Sequence, residues 1–388
     1  MAEYPIQKIF SRSWAAYAAT HDPTDVQTRA ALSITACKTG ALGQNYSLCQ
    51  ECGFLAACNN SCRNRSCPNC QAVLKEEWID ARRAEVIDGP YFHVVFTVPA
   101  QLRPLIFANQ RILYALMHEK TAESLLILSR DKKYLGATPA IIQVLHTWGQ
   151  EMNYHPHIHC IISGSGLTDT MKLVRCRFPD FLIPVKVMAA VFRGKFLDAL
   201  DKMYKANSLS LPGDLDKLSN SYEWKEYRNK LYCTEWCPYI KETFNGFGNA
   251  IEYLGRYTHR IAISNARIKN VTDTDVTFWA RDYRSNEKHD VCLSHDEFIR
   301  RFMQHVLPKG FQKIRYYGLL SNRKKKHLLG IVFRIQGHQR FRQKYVGMEL
   351  DVKLFEMFRI DIHICPHCGS RSMVHSGRTF TGPVVDVT

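Results

Sequence analysis

The spacing of apolar residues changes period along this chain, and each change predicts an element. From Gln7 to about Thr20 apolar positions recur at helical intervals, until His21-Asp-Pro-Thr-Asp25 interrupts them with turn and capping residues. A mixed-charge run of helix formers extends from Leu74 to Ile87 and is closed by Asp88-Gly-Pro90, which sets a first domain boundary. Tyr91 to Val98 is β-branched and aromatic and halts at Pro99, the mark of a core strand, and residues 101 to 129 read as helical. Ile141 to Trp148 and His157 to Ser163 predict two more strands, joined through a turn at Asn153 to Pro156 into a hairpin. Further on, the pattern predicts a strand near Phe181 to Val187, a helix near residues 189 to 206 and a polar connection around 208 to 222. Asn249 to Tyr257 returns to helical spacing, and short strands are expected at Ile261 to Ser264 and Val276 to Trp279.

The fold class implied is α+β: an antiparallel sheet with flanking helices, preceded by a cysteine-rich module and followed by a basic region. The expected divisions are residues 1–88, 89–330 and 331–388. No internal repeat or low-complexity tract interrupts them.

Composition sharpens this picture. With 388 residues and 46% hydrophobic content, the chain can bury a large core. No uninterrupted apolar run approaches the roughly 18 residues of a membrane span, and Met1-Ala-Glu-Tyr-Pro lacks the basic start of a secretory signal, so a cytoplasmic, nucleoid-associated protein is expected. Lysine and arginine number 52 against 36 acidic residues, a net charge of +16 that favours a polyanionic partner through counterion release. From Lys309 to Met348 there is no acidic residue, and Arg323-Lys-Lys-Lys326 is the densest cluster; Tyr316, Tyr317, Phe333, Phe341 and Tyr345 interleave with the charges, a pattern suited to phosphate neutralisation and base stacking.

Fourteen cysteines in a long chain without a signal peptide read as metal ligands rather than disulfides. Cys49-Gln-Glu-Cys52 and Cys67-Pro-Asn-Cys70 are two knuckles that together supply four thiolates to one structural zinc. Cys58 or Cys62 could replace one of the four, and Arg63 and Arg65 suggest that the same loop touches phosphates. Cys365-Pro-His-Cys368 is a third knuckle with His363, His367 and His375 nearby, and its second ligand pair is not evident in the sequence.

His157 and His159 lie two apart on a strand, so both project to one face and can hold one ion. With residues 151–156 as the loop, Gln150 falls opposite His157 and is the candidate third ligand. Tyr253 and Tyr257 lie four apart on a helix, on one side, with Arg256 and Arg260 near them. A phenol with a pKa near 10 is a poor nucleophile unless its developing phenolate is stabilised or the phosphorus is made more electrophilic. Mg²⁺ or Mn²⁺ on the imidazoles would polarise a phosphate oxygen and orient the scissile bond.

Asn60 to Gln71, Pro90 to Pro99, Leu145 to Cys160, Glu252-Tyr-Leu-Gly-Arg-Tyr-Thr-His-Arg260 and Phe298 through Arg323 occur in one order that resembles the two-tyrosine HUH transposases of the insertion sequence 91 type. The resemblance covers most of the chain. It implies an HUH nuclease core in which His157 and His159 bind the catalytic metal. It also implies that Tyr253 and Tyr257 attack single-stranded DNA at element ends to give 5′-phosphotyrosine intermediates, in rolling-circle transposition, with the zinc segment helping to recognise those ends. Ser66 departs from the family, which usually carries histidine there. No Gly-x-x-x-x-Gly-Lys loop occurs, so strand separation is expected from a host helicase or from replication. Two rivals remain at this point: a zinc-dependent DNA-binding regulator without catalysis, and a metal-dependent phosphodiester hydrolase.

Overall fold

The computed structural model describes residues 4–178, 183–236, 238–244, 251, 255, 261–282, 285–337 and 342–379, with backbone alone for 241–244. Tyr253, Tyr257, Arg256 and Arg260 lie outside the described residues, as do Phe181 and Phe341.

The near-continuous apolar runs become the middle of a six-stranded antiparallel sheet. Its strands β3 (Tyr91–Thr97), β4 (Thr138–Trp148), β5 (Tyr154–Leu167), β7 (Tyr239–Phe244) and β11 (Ile314–Gly318) run in the order β11-β4-β5-β3-β7, and β6 (Leu173–Arg175) pairs with β5. Both faces are covered, which is why these strands lack the alternation of a half-solvated sheet. On one face Phe92, Val94, Phe96, Leu145, Ile158 and Cys160 pack beneath α4 (Arg103–Ala108), α5 (Gln110–Arg130) and α6 (Val185–Lys205). On the other, Ile142, Val144 and Ile161 pack with Ile79 of α3 (Ala72–Arg83), Ile251, and Leu329 and Val332 of a helix at Lys325–Gln336. His157 and His159 share the parity of Ile161 and therefore stand on this second face.

A separate core joins the two N-terminal helices, α1 (Pro5–His21) and α2 (Asp25–Ala36), to a later part of the chain. Ile9, Phe10 and Ile34 bury against Phe278 of the sheet formed by β8 (Ile268–Val271), β9 (Asp275–Arg281) and β10 (Lys288–Ser294). They also bury against Phe298 and Phe302 of a helix at His295–Met303. Thr24 closes a capping box with Gln27 at the start of α2, so the predicted break after α1 also starts the next helix. The third sheet runs in the order β12-β1-β2 and pairs β1 (Gln44–Cys49) with both β2 (Leu55–Asn59) and β12 (Met373–Thr379).

Two local expectations fail and one is refined. Val185–Val187, expected in a strand, are the first turn of α6, which starts directly after Pro184. The polar stretch after 208 contains a 3₁₀ turn at Gly213–Ser219 and leads into α7 (Ser221–Cys233). Asn220 caps that helix by accepting from the Tyr222 and Glu223 amides. Ile261–Ser264 bends at Ala262 and makes no ladder among the described residues; Ala262 and Ile263 are buried instead by side-chain packing, and the strand begins at Ile268.

Candidate metal centre and nucleic-acid interface

The β4–β5 hairpin turns tightly, with the Gly149 amide donating to the Asn153 carbonyl at 3.0 Å, so pairing continues to Trp148 opposite Tyr154. The register that results sets His146 opposite His157 and Val144 opposite His159. Gln150, expected opposite His157, instead lies in the turn, where its main-chain oxygen accepts from Arg267. The turn lies earlier in the chain than the sequence suggested, closing between Trp148 and Tyr154, and with a register irregularity between His146 and Trp148 it moves the partner of His157 from 150 to 146.

His146, His157 and His159 are all buried, and each offers a ring nitrogen within 4.8 Å of the others. The His157 Nδ1–H donates to the His155 carbonyl at 2.6 Å, which leaves the Nε2 lone pair facing inward. That atom is 3.1 Å from His159 Nε2. Two nitrogens each about 2.1 Å from one ion, at a right angle, would be about 3 Å apart. Burial pulls the His157 imidazole down to about 4, so it is neutral and available as a ligand at physiological pH. His93 Nε2 lies 2.8 Å from His159 Nδ1, and His146 stacks on Trp148 with ring centres 4.5 Å apart. The donor set fits a divalent ion with imidazole preference.

Ile251 and Gly255 fix where the next segment meets the sheet. Ile251 is fully buried with Val144 and Ile161, on the histidine face, and a Cβ on Gly255 would come within 2.5 Å of the Ile79 side chain. Glycine permits that close approach to α3.

The cysteines partition differently from the expected single four-thiolate set. Cys67 and Cys70 gather with Cys62 and with Cys37, which the sequence reading missed, while Cys49 and Cys52 gather with Cys365 and Cys368. Cys37 stands fully buried at the C-cap of α2, 25 residues before its nearest partner in sequence, Cys62, so no knuckle spacing marks it. Cys62 Sγ and Cys70 Sγ are 3.8 Å apart, which matches an edge of about 3.8 Å for a tetrahedron with zinc–sulfur bonds of about 2.3 Å. Cys58 is exposed on β2, opposite Asn45, and belongs to neither group. Ser66 is buried beside Cys67 and its amide donates to Asn64 Oδ1.

The basic side chains also separate. Arg65, expected to touch phosphate, donates instead to the carbonyls of Phe311, Leu307 and Pro308, at 2.7, 3.0 and 2.8 Å, and so fastens the zinc segment to that loop. Lys325 pairs with Glu85. Arg63, Arg323, Lys324 and Lys326 are also exposed to solvent. Tyr316 accepts from Trp78 Nε1 at 3.0 Å and from Arg82, and Phe333 is buried, so neither ring is a free stacking platform. No helix among the described residues is long and apolar enough to cross a membrane.

Residues 9–98 match the family described as "Transposase zinc-binding domain", and residues 140–327 match the one described as "Putative transposase". The chain is 40% identical over 321 residues to "Putative transposase y4qJ" of Sinorhizobium fredii, a match that covers 82% of this chain and 80% of that one. It is 28% identical over 325 residues to "Transposase for insertion sequence element IS801" of Pseudomonas savastanoi pv. phaseolicola, covering 82% and 77% respectively. No solved structure matches.

Proposed function

The chain belongs to the insertion sequence 91 family of transposases, with an N-terminal zinc-binding domain, and from that premise we propose that it nicks and rejoins single-stranded DNA at element ends through 5′-phosphotyrosine intermediates. The family makes it a DNA-processing enzyme with structural zinc, for which Cys37, Cys62, Cys67 and Cys70 are a fitting shell. The observation that carries the finer reading is the convergence of His146, His157 and His159, with the Nε2 atoms of the last two 3.1 Å apart, on the face of the sheet that also buries Ile251.

In this reading the three imidazoles would hold Mn²⁺ or Mg²⁺, with imidazole favouring Mn²⁺, and the ion would supply Lewis acidity to the scissile phosphate. His93 and the His155 carbonyl orient the ligand rings. Tyr253 or Tyr257 attacks phosphorus in line: the phenol oxygen forms the new P–O bond and gives up its proton, and the 3′ oxygen departs as a free 3′-hydroxyl. The phosphotyrosine conserves the bond, so a 3′-hydroxyl can reverse the step without ATP, and a second tyrosine permits a second cleavage before the first link is resolved. Arg63, Arg323, Lys324 and Lys326 neutralise backbone phosphates. A host helicase or replication supplies the single strand, and the protein acts at the nucleoid.

The test is a covalent adduct. A single-stranded oligonucleotide spanning an element end, incubated with Mn²⁺, should give a protein–DNA product that survives denaturation and disappears when Tyr253 and Tyr257 are both changed to Phe. Binding without cutting would instead identify a regulator, and cutting without an adduct a hydrolase.

A further inference from the structure

Cys49-Gln-Glu-Cys52-Gly53 and Cys365-Pro-His-Cys368-Gly369 have the same backbone fold. In the first, the Cys49 amide donates to the Phe54 carbonyl at 2.9 Å and the Gly53 amide to the Cys49 carbonyl at 3.0 Å. In the second, the Cys365 amide donates to the Ser370 carbonyl at 2.7 Å and the Gly369 amide to the Cys365 carbonyl at 2.9 Å. Both turns end on a left-handed glycine, at φ +72° for Gly53 and +73° for Gly369. Each is a knuckle that aims two thiol sulfurs at one point, and the two points coincide. Cys49 Sγ is 3.7 Å from Cys368 Sγ, and Cys52 Sγ is 3.7 Å from Cys365 Sγ, again close to the tetrahedral edge of about 3.8 Å that zinc–sulfur bonds of about 2.3 Å require.

We propose that these four cysteines bind a second structural zinc ion, in a ribbon assembled from two distant parts of the chain. Cys365 and Cys368 lie far outside residues 9–98, so this site is additional to the zinc-binding domain that the family match covers. The surroundings are those of a thiolate shell. Ser372 Oγ is 3.1 Å from Cys49 Sγ and Ser370 Oγ is 3.0 Å from Cys368 Sγ, as outer partners for sulfur ligands. Phe54 and His367 stack across the two knuckles with ring centres 5.7 Å apart. The three-stranded sheet continues the same join, because β12 follows the second knuckle and pairs with β1 in the register Cys49 to Met373 and Leu48 to Val374.

Few apolar side chains support this join. Among the described residues, Met373 is the one buried hydrophobic side chain of its cluster besides the two inner cysteines, with Phe54 and Ala56 packed partly against it. So small a core cannot offset the ordering of segments whose paired cysteines are 313 and 319 positions apart in sequence, whereas zinc–thiolate bonding can. Zinc is therefore what holds β12 on the N-terminal sheet, and the first half-site stays incomplete during synthesis until Cys368 has emerged.

Cobalt substitution of the full-length protein tests this, because thiolate-to-cobalt charge transfer reports cysteine ligation and is silent for a site made of histidines. Wild-type protein should saturate at two tetrathiolate equivalents. The pair C365S/C368S should lose one equivalent, C49S/C52S should lose the same one, and all four serines together should lose no more than either pair. The variant C62S/C70S should lose the other. Cys368→His, which keeps a ligand and guards against simple misfolding, should retain two cobalt ions while the charge-transfer band of one weakens. Saturation of wild-type at one equivalent, additive losses from the two serine pairs, or an unchanged spectrum in Cys368→His would each overturn the shared site.

Discussion

His93 Nε2 stands 2.8 Å from His159 Nδ1, reaching diagonally across the β3–β5 pair in which His93 opposes Ile161 and Val95 opposes His159. Diagonal neighbours on one face of an antiparallel pair lie within reach of long side chains, and here the contact orients an imidazole whose other nitrogen faces the proposed ion. A ligand ring held this way loses little freedom on binding metal. His93→Leu should therefore weaken Mn²⁺ affinity about 10- to 100-fold, as removal of such outer partners typically does, with the cysteine-bound zinc content unchanged. Titration of Mn²⁺ binding by electron paramagnetic resonance reads the first quantity and elemental analysis the second. Unaltered Mn²⁺ affinity would show that His93 serves packing alone.

The hairpin register discriminates His146 from Gln150 as the third ligand. His146→Ala should abolish nicking and reduce metal affinity at least as much as removing the outer partner. Gln150→Ala should leave both within about threefold, because the residue sits in a turn and its main-chain bond to Arg267 survives the change. An oligonucleotide cleavage time course on both variants decides between them, and equal loss would mean that the turn carries a ligand after all.

Arg65 and the exposed basic cluster should part company. Arg65→Ala removes the donors to three carbonyls and should destabilise the protein by about 2 kcal/mol, read as a lower melting temperature, with little change in DNA affinity. Replacing Arg323, Lys324 and Lys326 by Ala should leave melting unchanged and weaken single-strand binding. The salt dependence should flatten by about 0.7 in slope for each phosphate no longer neutralised. Salt titrations of fluorescence anisotropy distinguish the two sets.

Stability should decline in mild acid. Burial lowers His118 to about 3 and His305 to about 4, so in the folded state both remain neutral where the unfolded chain, with its histidines near 6.5, has taken up protons. Between those values the unfolded state binds more protons, and stability rises with pH. The contribution is fully present above about pH 6.5 and is lost as pH falls through 4. Melting temperature measured from pH 7.5 to 4.5 should drop steadily below 6.5, and His118→Phe should reduce that slope. A flat profile would contradict neutral burial of these rings.

The strands of the central sheet were legible because Tyr91 to Thr97 and Ile141 to Trp148 are near-continuous apolar runs too short for helices, bounded by turn signals. The His157–His159 pair was legible for the same local reason, since alternation along a strand needs no knowledge of the rest of the fold. His146 was not, because its partnership with His157 depends on where the turn falls and on an irregularity in the register beside it. The start of α6 at Val185 was hidden by β-branched residues whose strand preference gave way to packing against α5.

Sequence alone determined the kinds of chemistry present: paired thiols in knuckles, imidazoles on one strand face, a basic excess, and two phenols at helical spacing. Each follows from residue type and from periods of two to four positions. The tertiary structure decided which of these groups meet. Cys67 and Cys70 join Cys37 and Cys62, Cys49 and Cys52 join Cys365 and Cys368, and Arg65 turns to carbonyls. Those choices rest on strand register and on pairings across hundreds of residues, where the free energy of closing one long loop rather than another differs little and the contacts made in the folded state, side-chain packing or metal–thiolate bonding, make the selection.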